Sequence, residues 1–191
     1  MGVVRLFMSM SLDGFVADRE GDSSALYPDL ANLRNTEAFA ELIEATGAVV
    51  MGRRAYDMGD TDEGYVDYEH QVPIFVLTHR VADVPAKHDP GKGLSFTFVT
   101  DGPESAVEQA RAAAGEQDVQ VIGGASTAQQ LINAGLLDQI QISFMPILLG
   151  EGLRLFEGLG SSPRRLETVE VIDSPVRTDI RYALAERAAD A

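Results

Sequence analysis

Residues 119–127 read Val-Gln-Val-Ile-Gly-Gly-Ala-Ser-Thr, an apolar strand that runs into two glycines and then into a helix start. A chain that passes from strand to helix across one tight turn is a βα unit. Repeated along a chain, such units build a mostly parallel sheet with helices on both faces. The junction also carries chemistry. Glycine has no Cβ, so its backbone can come very close to a ligand. The first turn of a helix adds unpaired N–H groups at a positive dipole end. Phosphate or pyrophosphate is the group such a turn is suited to hold.

The remaining elements follow the same alternation. Strands are predicted over 3–11, 47–52, 73–77, 94–100 and 119–122, the first of them central. Helices are predicted over 36–46, capped by Thr36 with Phe39, Leu42 and Ile43 on one face, and over 103–114, opened by Pro103 after Asp101 or Gly102. A third follows over 127–134. Pro28-Asp29-Leu30 opens a short helix, 60–69 reads as an exposed acidic stretch, and 81–93 as loop. Consecutive strands over 137–149, 164–173 and 177–186 close the chain. The expected architecture is α/β, a three-layer αβα sandwich on a mixed, mostly parallel sheet with antiparallel C-terminal strands. No repeat or linker is visible, so a single domain over 1–191 is expected. Apolar residues of the last strands, Ile140, Ile142, Phe144 and Ile147, are expected near a surface edge that needs cover.

Charge and composition remove several functions. The formal net charge of −15 disfavours nucleic acid and anionic membrane surfaces, which need clustered Lys and Arg. There is no cysteine, so disulfides, thiolate nucleophiles and Cys-based metal sites are excluded. His70, His79 and His88 do not form a metal-binding pair at helical spacing, and no metal is expected. The N-terminus lacks the layout of a signal peptide, and no apolar run reaches the length of a membrane span, so a cytoplasmic protein is expected.

Three strand ends carry suggestive residues: Gly52-Arg53-Arg54, Thr78-His79-Arg80 and Gly123-Gly124-Ala125-Ser126-Thr127. In an open α/β sheet, ligands lie beyond the carboxyl ends of the strands. If the three strands are parallel, the loops share one side. The glycines and the amides of Ala125–Thr127 would then cradle a pyrophosphate, with Arg53 or Arg54 as a guanidinium fork. Thr78, His79 and Arg80 suit a second phosphate. NADPH is a molecule with phosphates in both places. The usual Gly-x-Gly-x-x-Gly fingerprint after the first strand is absent, which disfavours a standard Rossmann domain.

The chain resembles the dihydrofolate reductase-like superfamily, and especially the branch of the bacterial riboflavin-biosynthesis reductase domain. The matching segments are 8–18 (Met-Ser-Met-Ser-Leu-Asp-Gly-Phe-Val-Ala-Asp), 50–56 (Val-Met-Gly-Arg-Arg-Ala-Tyr), 73–78, 121–125 and 146–156, spaced in the family's order. The resemblance implies an NADPH cofactor and hydride transfer to a small pterin- or pyrimidine-like acceptor. It puts Gly52, Arg53, Gly123, Gly124 and Ala125 on the pyrophosphate, with Arg54, Ser126 and Thr127 beside them. It puts Thr78, His79 and Arg80 on the ribose phosphate, and Ser9, Val16 and Ala17 against the nicotinamide. The 150–152 loop would pack beside the nicotinamide loop. Asp29 is the candidate catalytic acid, with service at a helix N-terminus as the competing role. The absence of a deaminase domain argues against the complete bifunctional riboflavin enzyme. The related domains pair, so a homodimer is expected. The main alternative is an NADP(H)-binding sensor or scaffold without turnover.

Overall fold

The structure is a computed structural model that describes residues 2–61, 63–160 and 163–184. Its strands are β1 (Val4–Ser11), β2 (Phe15–Ala17), β3 (Thr46–Gly52), β4 (Pro73–Leu77), β5 (Ser95–Val99), β6 (Asp118–Ile122), β7 (Gln139–Met145), β8 (Leu153–Arg154), β9 (Leu166–Asp173) and β10 (Thr178–Leu184). Strands β2 and β8 form a small ribbon, and the other eight make one sheet in the order β5-β4-β3-β6-β1-β7-β10-β9. Neighbours from β5 through β7 pair in parallel. Strand β10 runs antiparallel to both β7 and β9. The α/β class and the antiparallel C-terminal end are those the sequence predicts.

Among the described residues, α-helices connect the strands: α1 (Leu30–Leu33), α2 (Glu37–Ala45), α3 (Arg53–Gly59), α4 (Pro103–Ala114) and α5 (Ala125–Ala134). Alternation along each strand sends successive side chains to opposite faces. On one face Val4, Leu6, Met8 and Met10 of β1 join Val119, Val121, Ile140 and Ile142 against Ala106, Val107 and Ala110 of α4 and Leu131 and Ile132 of α5. On the other, Val49, Met51, Ile74 and Val76 pack against Tyr56 of α3 and Tyr65. Each large aliphatic side chain buried this way stabilises the fold by roughly 1.5–3 kcal/mol. Thr36 caps α2 as expected, its Oγ1 accepting from the Phe39 N–H at 3.2 Å.

Three expectations are corrected. The strand expected over 137–149 is Gln139–Met145, because Pro146 has no N–H to continue a ladder. Ile140 and Ile142 are buried, at 3% and 1% exposure, since β7 lies inside the sheet between β1 and β10. The exposed edge is β9, where Val169 and Val171 are 51% and 57% exposed. The acidic stretch 60–69 is anchored rather than wholly exposed. Tyr65 is buried and donates its hydroxyl to the Tyr56 carbonyl at 2.9 Å. The strand expected over 177–186 is described to Leu184, and its last two residues lie outside the described residues. Among the described residues no helix is long and apolar enough to cross a membrane.

Candidate functional site

Strands β3, β4 and β6 end side by side. Gly52 pairs with Leu77 across β3 and β4, and Val50 pairs with Val121 across β3 and β6. Because all three are parallel, their following loops emerge together and rim a cleft of about 1510 Å³. Gly52, Arg53, Arg54, Thr78, His79, Arg80, Gly123, Gly124, Ala125, Ser126 and Thr127 all line it, as do Val16 and Ala17 of β2. Ser9 and Asp29 are not among its lining residues. Ser9 is buried in β1 with Ser143 of β7 as its cross-strand partner.

The rim is shaped by missing side chains. A Cβ on Gly52 would lie 2.4 Å from Thr127 Oγ1. Gly123 and Gly124 have φ of +77° and +86°, the left-handed region that only glycine enters freely. A Cβ on Gly123 would lie 2.6 Å from Ala55 Cβ, and one on Gly124 would lie 3.5 Å from Gly52 Cα. The starts of α3 and α5 are thereby brought together. Gly124 gives α5 no side-chain cap, so its first-turn N–H groups lack that partner.

Basic side chains gather on this rim, against the acidic balance of the whole chain. Arg53 Nε donates to Asp57 Oδ1 at 2.6 Å, and its Nη1 donates to the Arg80 carbonyl at 3.1 Å. The hydrogen bond to Asp57 holds the guanidinium pKa above its usual value. The second bond ties the loop after β3 to the loop after β4. Thr78 Oγ1 donates to the Arg80 carbonyl at 2.9 Å and accepts from its N–H at 3.2 Å, which sets the turn. Arg54, His79, Arg80 and Ser126 are exposed, whereas Ala125 and Thr127 are buried.

The β2–β8 ribbon is clamped next to this rim. Gly152 has φ of +142°, and a Cβ there would lie 2.1 Å from the Ala17 carbonyl oxygen. The Asp13 carboxylate accepts from Ser11 Oγ at 2.6 Å, from Leu149 N–H at 3.1 Å and from Gly150 N–H at 2.7 Å. These bonds, that from Ser11 foremost, hold its pKa below the usual carboxylate range. Asp13 thus pins 149–150 to the turn after β1, and the 150–152 loop packs beside Val16 and Ala17.

The cleft is also lined by Tyr27, Leu30, Phe39 and Leu42 and by Tyr65, Tyr68, Glu69 and His70. Arg34 and Glu69, both lining residues, form an ion pair. Two lining residues escaped the sequence reading. Gln120 is fully buried in β6, and neither amide atom has a hydrogen-bond partner among the described residues. His70 is 5% exposed and its Nδ1 is likewise unpartnered. Burial lowers the His70 pKa to about 4, with Glu69 opposing the shift. The available signal for Gln120 was a lone amide between Val119 and Val121 in an otherwise apolar strand.

Asp29 is engaged elsewhere. Arg177 Nη1 donates to both of its oxygens, at 3.1 and 3.3 Å, and Arg177 Nε donates to Asp179 Oδ2 at 3.2 Å. Asp179 in turn accepts from Ser143 Oγ. Asp29 stands at the N-terminus of α1 but makes no side-chain capping bond. No group of three or more His, Asp or Glu side chains able to hold a metal ion occurs among the described residues.

A family model described as the RibD C-terminal domain matches residues 3–178. The chain belongs to the RibD C-terminal domain family. YyaP of Bacillus subtilis, itself uncharacterised, is 26% identical over 163 residues, covering 79% of this chain and 78% of that protein. The riboflavin biosynthesis protein RibD of Corynebacterium ammoniagenes is 29% identical over 154 residues, 78% of this chain but 44% of that longer protein. Among solved structures, a provisionally named riboflavin biosynthesis protein from Shewanella sp. PV-4 superposes with a TM-score of 0.76 at 24% identity, covering 96% of this chain and 99% of that one. Dihydrofolate reductase from Enterococcus faecalis, complexed with NADP(H), superposes with a TM-score of 0.61 at 16% identity, covering 97% and 98%. The fold is therefore that of the dihydrofolate reductase-like reductases.

The buried neutral His70 carries a pH signature. Its native pKa is about 4, while an unfolded histidine protonates near 6.5. The unfolded chain therefore takes up a proton that the native state refuses, and stability falls as pH drops through that window. Between pH 7 and 4.5 the wild type should lose about 2 kcal/mol more unfolding free energy than His70→Phe. Urea unfolding at the two pH values measures this, and parallel losses in the two proteins would refute it.

Proposed function

We propose that the chain is an NADPH-dependent reductase that delivers a hydride to a small pterin- or pyrimidine-like acceptor. The observation that carries this reading is the convergence of three strand-end loops, with their glycines and basic side chains, on one cleft. The residues suit the cofactor: the missing Cβ atoms at Gly52 and Gly123 let the starts of α3 and α5 close up on one another, and the uncapped first turn of α5 offers backbone N–H groups of the kind that bind a pyrophosphate. Arg53 and Arg54 supply positive charge there, with Ala125, Ser126 and Thr127 opening the α5 turn. Thr78, His79 and Arg80 would hold the ribose phosphate. Ser9, Val16 and Ala17 stand in this proposal on the nicotinamide side, with Ser9 acting through the backbone of β1. When bound, NADPH supplies the hydride; the protein's part is to orient the acceptor and exclude water. The lining residues Tyr27, Leu30, Phe39 and Leu42 serve that exclusion.

Arg80→Ala tests the assignment. NADPH affinity should fall on the order of tenfold or more, with NADH affinity little changed, since only the former offers a phosphate for a charge-assisted hydrogen bond. Titration calorimetry with both nucleotides reads the difference. Equal losses would remove the ribose-phosphate role, and no binding of either nucleotide to the wild type would remove the reductase reading.

Binding without turnover is the second reading, and the engagement of Asp29 by Arg177 favours it. Asp29 can act as the acid only by exchanging Arg177 for the acceptor. Absorbance at 340 nm with candidate pterins and aminopyrimidines separates the cases, since only a protein that turns over oxidises NADPH; where the wild type does, Asp29→Asn tests the acid. A general acid would show a fall in kcat of about 100-fold. An unchanged kcat with lowered thermal stability would leave Asp29 a structural ion-pair member only.

A second copy of the chain is proposed to cover β9, where Leu166, Val169, Val171 and Ile172 are exposed. Equilibrium sedimentation at micromolar concentration should show a species of twice the chain mass. A single-chain mass throughout would reject the homodimer.

A further inference from the structure

Gln120 sits in the middle of β6, in register with Val49 of β3 and Arg5 of β1. It is fully buried yet lines the floor of the cleft. Neither Nε2 nor Oε1 finds a partner among the described residues. Buried amides almost always have partners, because an unpaired one forfeits its hydration for nothing. Its in-register neighbours do not supply one. Val49 has no polar side-chain atom, and Arg5 directs Nη2 to Asp118 at 3.1 Å and Nε to Gln139 at 2.8 Å rather than to the amide. A donor and an acceptor therefore stand side by side at the bottom of a cleft, in surroundings that make any bond they form strong.

We infer that Gln120 is a specificity-determining residue that reads a cis –CO–NH– edge, a lactam or imide, on a planar acceptor ring. Nε2 donates to the ring carbonyl and Oε1 accepts from the ring N–H, giving a closed pair of hydrogen bonds. Phe7, Met51 and Ile122 line the same cleft and offer flat apolar contact to such a ring. His70 lines the cleft as well and stays neutral near pH 7, and its Nδ1 is likewise without a partner among the described residues. A ring without the N–H leaves Oε1 unpaired, whereas the matching ring satisfies it, and that difference is the source of discrimination. The inference rests on the reductase reading of the cleft, since it names what the acceptor must present.

The probes are 6-aminouracil, which carries the edge, and 6-amino-1,3-dimethyluracil, which has no ring N–H. Each is titrated calorimetrically into the wild type, Gln120→Met and Gln120→Leu, with and without saturating NADPH. The wild type should prefer 6-aminouracil by about tenfold or more. Both variants should lose that preference, while NADPH affinity stays within about twofold and the melting temperature does not fall. Equal wild-type affinity for the two probes, no measurable 6-aminouracil binding, or a preference that survives both substitutions overturns the assignment. Loss of the fold in both variants, seen by far-UV circular dichroism, also overturns it, because the amide would then be satisfied structurally. Failure of NADPH to bind while the probe preference and its loss persist would discard the cofactor reading and leave Gln120 in its role.

Discussion

The close approach of the ends of β3 and β6 is the constraint on which the cleft depends. At Gly52 a side chain would collide with Thr127, and at Gly124 it would crowd Thr127 Oγ1 at 3.2 Å from a backbone with φ of +86°. With those side chains absent, two helix starts without side-chain caps are held together, and both line the cleft. The same approach sets the loop after β4, because Arg53 reaches across to the Arg80 carbonyl. A wider separation would leave three ordinary βα turns and no common rim.

The sheet treats its two faces differently. One face of β1, β6 and β7 is apolar and is covered by α4 and α5. The opposite face places Arg5, Gln120, Gln139, Gln141 and Ser143 in neighbouring registers. Its polar groups are matched in pairs and chains: Arg5 with Asp118 and Gln139, Arg181 with Gln141 and Glu170, and Asp29 through Arg177 and Asp179 to Ser143. Gln120 lies on the same face and is left out of these matches. Buried polar networks are favourable only when their members are satisfied, so an unsatisfied member that borders a cleft marks where a ligand can complete it.

Much of the frame was legible because its signals are local. Pro73 and Pro103 open β4 and α4, and both elements begin and end where the pattern predicts. Thr36 was readable as a cap from its position before an apolar helical face. The strand from Gln139 was overextended because Leu148 and Leu149 continue an apolar run past Pro146, and hydropathy alone does not end it. The stretch 60–69 was misread because its acids outnumber its tyrosines. Tyr65 decides its position by packing with Tyr56 and Phe96, residues on other elements.

The sequence by itself determined the succession of strands and helices and put glycines and basic residues at three strand ends, since periodicity and the want of a Cβ act within a few residues. Tertiary structure alone decided that those ends are neighbours, that β7 is interior, that Asp29 meets a guanidinium from the far end of the chain, and that Gln120 and His70 have polar atoms without partners among the described residues. The reason is physical: what surrounds a side chain depends on which strands lie side by side, and strand order is fixed by the packing of the whole sheet rather than by the residues of any one strand.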